Sequence, residues 1–378
     1  MPRNSAFDLA YRSVATAALD QKPVSGMTHT FYRYPARFSP SFAASAIENF
    51  SKESDIVLDP YMGGGTTIVE SLAQGRKTIG NDLNSLAVFI TRVKTMPLTK
   101  QEQAAAREWS HTTLSQLSYR MELDPSRCIE PQTGQTKNLN VPKARFIKKL
   151  VALALESCTG LHSDNLQAFA RCVILRTAQW ALDGREAHTT VQQFKDRLAL
   201  TAEEMVTSVE SFRSAISKHP EHGPILLNVD TALLPSTTPF QLGLRADLVV
   251  TSPPYPGVHV LYHRWQVDGR KETPAPYWIA GCQDGMGASY YNFADRRAMN
   301  PYFEKSLATL QGIRAVMRRG GVIVQLVAFN CVETQLSRYL NNMEHAPLDR
   351  LFAAAETGTQ DRADTGWIRD SGGRRCEA

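Results

Sequence analysis

Five residues, Thr251-Ser252-Pro253-Pro254-Tyr255, could hold a planar ring by an amine. They follow an apolar run at 246–250 that predicts a buried parallel strand opening into a turn. The prolines fix φ and remove backbone donors, so nearby carbonyls stay free to accept hydrogen bonds. Ser252 and these carbonyls suit an exocyclic amine, and the face of Tyr255 suits stacking. Taken alone, the same residues are equally typical of a stiff turn after a strand.

A second run, from Asp59 to Thr67, could bind a cofactor, since it reads Asp-Pro-Tyr-Met-Gly-Gly-Gly-Thr-Thr after a predicted strand at 56–58. The glycines Gly63–Gly65 allow positive φ and close approach of a ligand to the backbone. The helix that begins about Thr66 presents free N–H groups and a positive dipole end. Such a turn suits a pyrophosphate, a phosphate or the amino-acid end of S-adenosylmethionine.

Three acidic residues narrow the choice among these possible ligands. Asp59 can accept a bond from a cationic amine, Asp82 ends the second predicted strand and suits a ribose diol, and Asp230 ends the third and could bond an adenine amine. The spacing G-x-G-x-x-G of dinucleotide sites and the Gly-Lys-Ser/Thr of a Walker A loop are absent. The acids therefore favour an adenosyl cofactor with an ammonium group. The alternative for each acid is a helix N-cap or a solvated loop position.

Bulk properties agree with a globular protein in a reducing compartment. The chain has 378 residues, 43% hydrophobic and 21% charged, with a net charge of +5. No run is long enough for a membrane span, and the N-terminus lacks a secretory apolar region. The six cysteines show no metal-ligand spacing, so we expect no metal. These features predict a cytoplasmic protein, and the mild positive charge permits a polyanionic partner.

The pattern of elements predicts an α/β fold with a doubly wound, Rossmann-like sheet. Strands are expected at 56–58, 77–80, 225–230, 247–250 and 321–329, with a helix between the first two. A helical block interrupts this pattern, with helices predicted at 101–120, 144–157, 165–182 and 190–216.

These residues resemble the motifs of the DNA amino-methyltransferases. The run Asp59–Thr67 is similar to their motif I, and Thr251–Tyr255 resembles catalytic motif IV in the Ser-Pro-Pro-Tyr form typical of cytosine-N4 enzymes. Residues 34–40, Tyr-Pro-Ala-Arg-Phe-Ser-Pro, resemble motif X, and 230–235 resemble motif III. With Asp82 as motif II, the order is X, I, II, III, IV.

The resemblance implies transfer of a methyl group from S-adenosylmethionine to the N4 amine of a cytosine swung out of double-stranded DNA. Ser252 and the Pro253 carbonyl would hold the amine, beside Pro254, and Tyr255 would stack on the base. The cofactor-binding residues would be Phe38, Asp59, Pro60, Tyr61, Gly63, Gly65, Thr66, Asp82 and Asp230. A restriction or defence-system protein is a further expected partner, and the sheet is expected to end in an antiparallel strand.

Other functions remain open at this point. Adenine-N6 methylation shares the amine chemistry. RNA guanine-N2 methylation would more often have Asp or Asn at position 252, and a catalytically silent DNA-binding subunit would keep a vestigial site. Methylation at cytosine C5 is excluded because no cysteine follows a proline. An NAD-dependent oxidoreductase is disfavoured by the missing third glycine.

The predicted domains are a catalytic domain at 28–97 and 223–355, a helical insertion at 98–222, a lead-in at 1–27 and a polar tail at 356–378. The insertion falls between motifs II and III, where target recognition is less usual. The aromatic and basic segment at 259–291 suits either an extruded base or a lid over the cofactor. The candidate nucleic-acid contacts are Lys148, Lys149, His263, Arg264, Trp265 and Arg270.

Overall fold

The computed structural model describes residues 5–20, 22–34, 37–142, 144–185, 187–218, 223–255, 264–269, 271–283, 299–329 and 331–349. Its centre is a five-stranded sheet in the order β3-β2-β1-β4-β7, and every pairing in it is parallel. The strands are β1 (Ile56–Asp59), β2 (Lys77–Asn81), β3 (Ile225–Leu227), β4 (Ala246–Thr251) and β7 (Met317–Gln325). A separate antiparallel hairpin pairs β5 (Trp265–Val267) with β6 (Lys271–Thr273).

Both faces of the sheet are covered, as the apolar strands require. The helices are α1 (Ser5–Ala18), α2 (Pro40–Phe50), α3 (Thr66–Ala73), α4 (Ser85–Lys94), α5 (Lys100–Gln116), α6 (Arg145–Cys158), α7 (Asp164–Leu182), α8 (Val191–Ile216), α9 (Thr238–Gln241), α10 (Ala275–Ala280), α11 (Met299–Val316) and α12 (Val332–His345). On β1, Val57 packs with Phe42 and Ile47 of α2, whereas the next residue, Leu58, packs with Ile313 of α11. Alternate residues of the strand thus bury on opposite faces.

Helices α5 to α8 form a block around α7, which is buried on almost every side. Their core is continuous with that of the segment before α2 and the segment after β4. Phe31 and Tyr32, from the first, and Trp265 and Tyr277, from the second, belong to the same cluster as Phe169 of α7. The block therefore packs against the segment that precedes α2 and against the segment that follows β4.

The predicted α/β, Rossmann-like fold is confirmed. The expected antiparallel last strand would follow α12, beyond the described residues. The polar tail at 356–378 also lies outside them, and the predicted domain boundaries stay a prediction. No described helix combines the length and the apolar character that crossing a bilayer requires.

Candidate functional site

The glycine turn after β1 and the proline-containing turn after β4 lie side by side at the middle of the sheet. Strands β2 and β3 lie on one side of β1, and β4 and β7 lie on the other, so the strand order reverses between β1 and β4. Ligands of open α/β sheets bind outside the carboxyl ends of the strands at such a switch point. There the Thr251 hydroxyl, at the end of β4, donates to Asp59 Oδ1, at the end of β1, over 2.7 Å.

Asp59 is a buried carboxylate, and one of its two oxygens makes no hydrogen bond to the described residues. Its side chain is 1% exposed. Oδ1 accepts from Thr251 and from the backbone N–H of Tyr61 at 3.1 Å, whereas Oδ2 has no partner among the described residues. Burial raises the pKa of Asp59 to about 6, although the hydroxyls of Thr251 and Thr67 and the Tyr61 N–H oppose this. A cationic ligand would supply the missing partner and charge, because a buried acceptor without one is costly.

The glycine turn after Asp59 is packed too tightly for larger residues. Gly63 and Gly65 have φ of +47° and +74°. A Cβ on Gly65 would lie 2.6 Å from Thr91 Oγ1, and one on Gly63 would lie 3.2 Å from the ring of Tyr34. Buried Thr66 then opens α3, whose first N–H groups have no acceptor within the helix. This geometry suits a polar or anionic group.

Asp82 binds this turn directly. Its Oδ2 accepts from the Gly63 N–H at 2.9 Å, and its Oδ1 accepts from the Asn84 N–H at 2.8 Å. Burial raises the pKa of Asp82 to about 6, against the effect of these two bonds. Each carboxylate oxygen has a second lone pair, so the side chain can still accept from a diol. Asp82 therefore joins the second strand to the glycine turn whether or not it also binds a ligand.

Pro60 and Asp230 take structural roles at the edge of this site. The Pro60 carbonyl accepts from Asn81 Nδ2 at 3.3 Å and from the Thr231 hydroxyl at 3.0 Å. Asp230 caps a short 3₁₀ helix at Thr231–Ser236, with Oδ1 accepting from the Ala232 N–H at 3.0 Å. For Asp230 the observed bond is the N-cap that was its alternative interpretation.

The turn after β4 is held by two tyrosines. Ser252 Oγ lies 3.2 Å from the Tyr255 hydroxyl, which donates to the Leu326 carbonyl at 3.3 Å. The Pro254 carbonyl, expected to be free, instead accepts from the buried Tyr302 hydroxyl at 2.9 Å. No donor within the described ranges reaches the Pro253 carbonyl. Ser252 and Pro253 thus keep hydrogen-bonding capacity on a turn whose other polar groups are fixed.

Two residues that the sequence analysis did not name as cofactor contacts, Lys94 and Tyr34, contact the glycine turn. Lys94, the last residue of α4, is fully buried and donates from Nζ to the Gly64 carbonyl at 2.6 Å. Burial lowers its pKa to about 7. In sequence it resembles a lysine that caps a helix dipole. Tyr34 covers the glycine turn, whereas Phe38, the expected contact, packs edge-on against Phe42 with ring centroids 5.2 Å apart.

The prediction for Trp265 as a nucleic-acid contact is wrong. Its side chain is 1% exposed, and its Nε1 donates to the Tyr32 hydroxyl at 2.9 Å in the core. Tyr277 and Trp278, from the same aromatic segment, are also buried, and the Tyr277 hydroxyl bonds Asn84 at 3.0 Å. Period-two burial in the short hairpin turns Trp265 inward, which its basic neighbours in the sequence do not reveal.

The other predicted nucleic-acid contacts are dispersed. Lys148 and Lys149 are half-buried on α6, where Lys148 Nζ bonds Asn140 Oδ1 at 3.0 Å. Arg264 is half-buried before β5. His263 and Arg270 lie outside the described residues.

Comparison with known proteins agrees with the N-terminal part of this site. Residues 16–91 match the family model described as DNA methylase, of the N6 and N4 methyltransferases. This match contains the glycine turn, Asp59, Asp82 and residues 34–40, but not Ser252. It confirms the resemblance to the DNA amino-methyltransferases.

Curated relatives match the chain over similarly short stretches. The type II methyltransferase M.MvaI of Kocuria varians is 35% identical over 83 residues, which are 21% of this chain and 18% of the relative. M.MjaII of Methanocaldococcus jannaschii, also named a type II methyltransferase, is 30% identical over 76 residues, or 20% and 14%. The orphan methyltransferase M.BamHII of Bacillus amyloliquefaciens is 40% identical over 53 residues, or 14% and 20%. The matched stretches thus cover at most a fifth of each relative. No solved structure matches the chain.

Proposed function

We propose that this chain is an S-adenosylmethionine-dependent DNA methyltransferase that modifies the exocyclic N4 amine of cytosine. One observation carries the proposal. The hydrogen bond from Thr251 to Asp59 joins the turn that would hold the amine to the turn that would hold the cofactor, at the switch point of the sheet.

The residues at the glycine turn fit the cofactor. Asp59 Oδ2, buried and without a partner in the described part of the chain, would accept from the ammonium of its methionine portion. Asp82 would accept from the ribose hydroxyls through its remaining lone pairs, and Asp230 from the adenine amine. Tyr34 and the N–H groups at the start of α3 would complete the site. The bound cofactor would supply an electrophilic methyl group.

The turn after β4 would orient the acceptor. Ser252 Oγ and the Pro253 carbonyl would hydrogen-bond the amine and direct its lone pair, while Tyr255 would stack on the base. The bonds of Tyr255 and Tyr302 to the backbone fix this turn before the substrate arrives. Preorganisation of this kind lowers the barrier because positioning needs no rearrangement. The amine can lose its proton after the attack, so no ionised base is required in the turn.

The choice of cytosine depends on Ser252. The Ser-Pro-Pro-Tyr form favours cytosine N4, and adenine N6 is the second candidate because the same contacts serve its amine. The matching relatives are named methyltransferases and the matching family model is described as DNA methylase, which supports double-stranded DNA as the substrate. A cognate restriction or defence-system protein is a proposed partner on the same ground. An RNA substrate and a silent DNA-binding subunit are the outcomes to be tested against.

The test is methyl transfer from labelled S-adenosylmethionine to duplex DNA of mixed sequence, followed by nucleoside analysis. We expect N4-methylcytosine; N6-methyladenine would move the assignment to the second candidate. Ser252→Ala should lower transfer at least about tenfold, since one hydrogen bond to a reacting group is lost, while cofactor affinity stays within about twofold. Cofactor binding without labelling of DNA would favour the silent subunit, and labelled RNA instead of DNA would refute the DNA assignment.

A further inference from the structure

Four arginines from three separate parts of the chain lie around Gln179 and Trp180 near the end of α7. We call this set, Arg33, Arg176, Arg185 and Arg197, the arginine face. Arg33 precedes Tyr34 at the glycine turn, Arg176 is on α7, Arg185 follows α7, and Arg197 is on α8. Arg33 is exposed and the other three are half-buried. The fold, not the sequence, brings these cations together.

Gln179 fixes two of the four arginines. Its Oε1 accepts from the Arg33 backbone N–H at 3.0 Å and from Arg176 Nη1 at 3.2 Å. Its Nε2 donates to the Arg33 carbonyl at 2.9 Å. The Arg33 backbone is therefore held at both polar groups, while its side chain is left to reach into solvent. A glutamine that is 4% exposed is a rigid anchor for this purpose.

The guanidinium groups of the other two arginines, Arg185 and Arg197, lie over the ring of Trp180. The Arg185 guanidinium carbon lies 4.2 Å from the ring centroid, and that of Arg197 lies 6.0 Å from it. Neither Nε has an acceptor among the described residues. Stacking on an aromatic face orients a guanidinium without neutralising it. The terminal nitrogens of Arg185 make no ion pair within the described ranges, whereas one of those of Arg197 pairs with Glu204.

The nearby carboxylates offset only part of this charge, since Asp183 attracts Arg33 and Glu204 attracts Arg176. Glu204 pairs with Arg197 at 3.3 Å, and Asp183 accepts from the Gln266 N–H at 3.1 Å. No ion pair joins Arg33, Arg176 or Arg185 to a carboxylate within the described ranges. Burial, and then repulsion from Arg197 and Arg33, lowers the pKa of Arg176. A polyanion whose charges are spaced along a surface would therefore be a favourable partner for the arginine face.

The position of the face relates it to the proposed chemistry. The ring of Tyr34, adjacent to Arg33, covers Gly63 of the cofactor turn. The Gly184 N–H, beside Arg185, donates to the Gln266 carbonyl at 2.9 Å in the hairpin. That hairpin follows the amine-binding turn by about ten residues, a span of at most about 35 Å. A duplex longer than this span could contact both Ser252 and the arginine face.

We propose that the arginine face binds the phosphate backbone of the duplex DNA substrate. This rests on the proposed function for its substrate class. Planar guanidinium groups match phosphate geometry, and contacts of this kind set the register of the protein on the duplex without reading its sequence. The surface lies at the junction of the helical block with the segments around both catalytic motifs, so it would place the duplex over the site.

The test compares two double variants that each remove two arginines. Arg33→Gln with Arg185→Gln removes half the face and keeps the backbone bonds between Arg33 and Gln179. The control, Arg12→Gln with Arg120→Gln, removes two exposed arginines that lie outside the face. Binding of a labelled duplex of about 30 base pairs, long enough to span both the face and the site, is measured between about 50 and 300 mM salt. Cofactor affinity and thermal stability serve as checks of folding.

We expect the face variant to bind the duplex about tenfold more weakly at low salt, with a slope of log K against log salt that is smaller by about 1.8, as two lost phosphate contacts require. The control variant should keep the wild-type slope. Equal losses in both variants, or an unchanged slope in the face variant, would overturn the proposal, as would a loss confined to duplex RNA. Salt-dependent DNA binding through the face without methyl transfer would refute the proposed function and leave this surface standing.

Discussion

At the scale of residues, a substitution of Asp59 should change affinity for the cofactor without lowering the stability of the free protein. Asp59→Asn keeps an oxygen that can accept from Thr251 and Tyr61 but removes the negative charge. We expect affinity for S-adenosylmethionine to fall about ten- to a hundredfold, the equivalent of a charge-assisted hydrogen bond of about 1.5–3 kcal/mol. The free protein should not lose stability, because burial already disfavours the charge, with the pKa raised to about 6. Calorimetric titration and thermal unfolding measure the two effects; lower stability with unchanged affinity would make Asp59 purely structural.

Asp59 and its neighbour Asp82 determine how the stability of the free protein changes with pH. Asp59 and Asp82 both have a pKa raised by burial to about 6. Between about pH 4 and 6 the folded free protein retains protons that the unfolded chain releases, so these two groups make it less stable as pH rises through that window. Cofactor binding has the opposite dependence because the ammonium needs an ionised partner. Affinity should therefore fall as pH drops below about 6, and more shallowly in Asp59→Asn; equal slopes would contradict the ion pair.

At the scale of elements, the glycine turn predicts a difference between two glycines of similar backbone conformation. Gly65 and Gly134 have φ of +74° and +87°, but only Gly65 of the two is crowded, since a Cβ added there would lie 2.6 Å from Thr91 Oγ1. Gly134→Ala should lose only the left-handed backbone cost of about 1–2 kcal/mol. Gly65→Ala should lose more and weaken cofactor binding as well. Chemical denaturation and titration would check this, and equal losses would mean that Thr91 moves aside freely.

Features that depend on interactions between residues close in sequence could be predicted, whereas features that depend on distant residues could not. Helix α3, strand β1 and the acids at the strand ends are specified by local periodicity and turn residues, and all were found within a few residues of the prediction. Trp265 and Lys94 depend on tertiary packing. Their burial is decided by Tyr32 and by the glycine turn, which are 233 and 30 residues away in sequence. Local pattern could not reveal either.

At the scale of the whole molecule, the helical block and the catalytic motifs share a core. The ring of Phe169, in the N-terminal third of α7, meets that of Phe31 edge-on at 6.1 Å, and both side chains are fully buried. Phe169→Ala should cost about 3–5 kcal/mol of unfolding free energy. Because the cluster is continuous, cofactor binding should disappear in the same transition as helical structure. Calorimetry with circular dichroism measures this; a second transition at which α5–α8 melt alone would show an independent domain.

The bond between Thr251 and Asp59 also has a consequence for synthesis in the cell. Its partners are 192 residues apart, and the whole helical block lies between them. While the ribosome makes that block, β1 lacks its β4 neighbour and Asp59 remains open to water. A nascent or truncated chain therefore has the glycine turn but not the buried carboxylate that would bind the ammonium group of the proposed cofactor. Because long-range parallel pairing is slow to form, the proposed cofactor site should be completed late, when the proposed amine-binding turn has also been made. Premature chains would then not sequester the methyl donor.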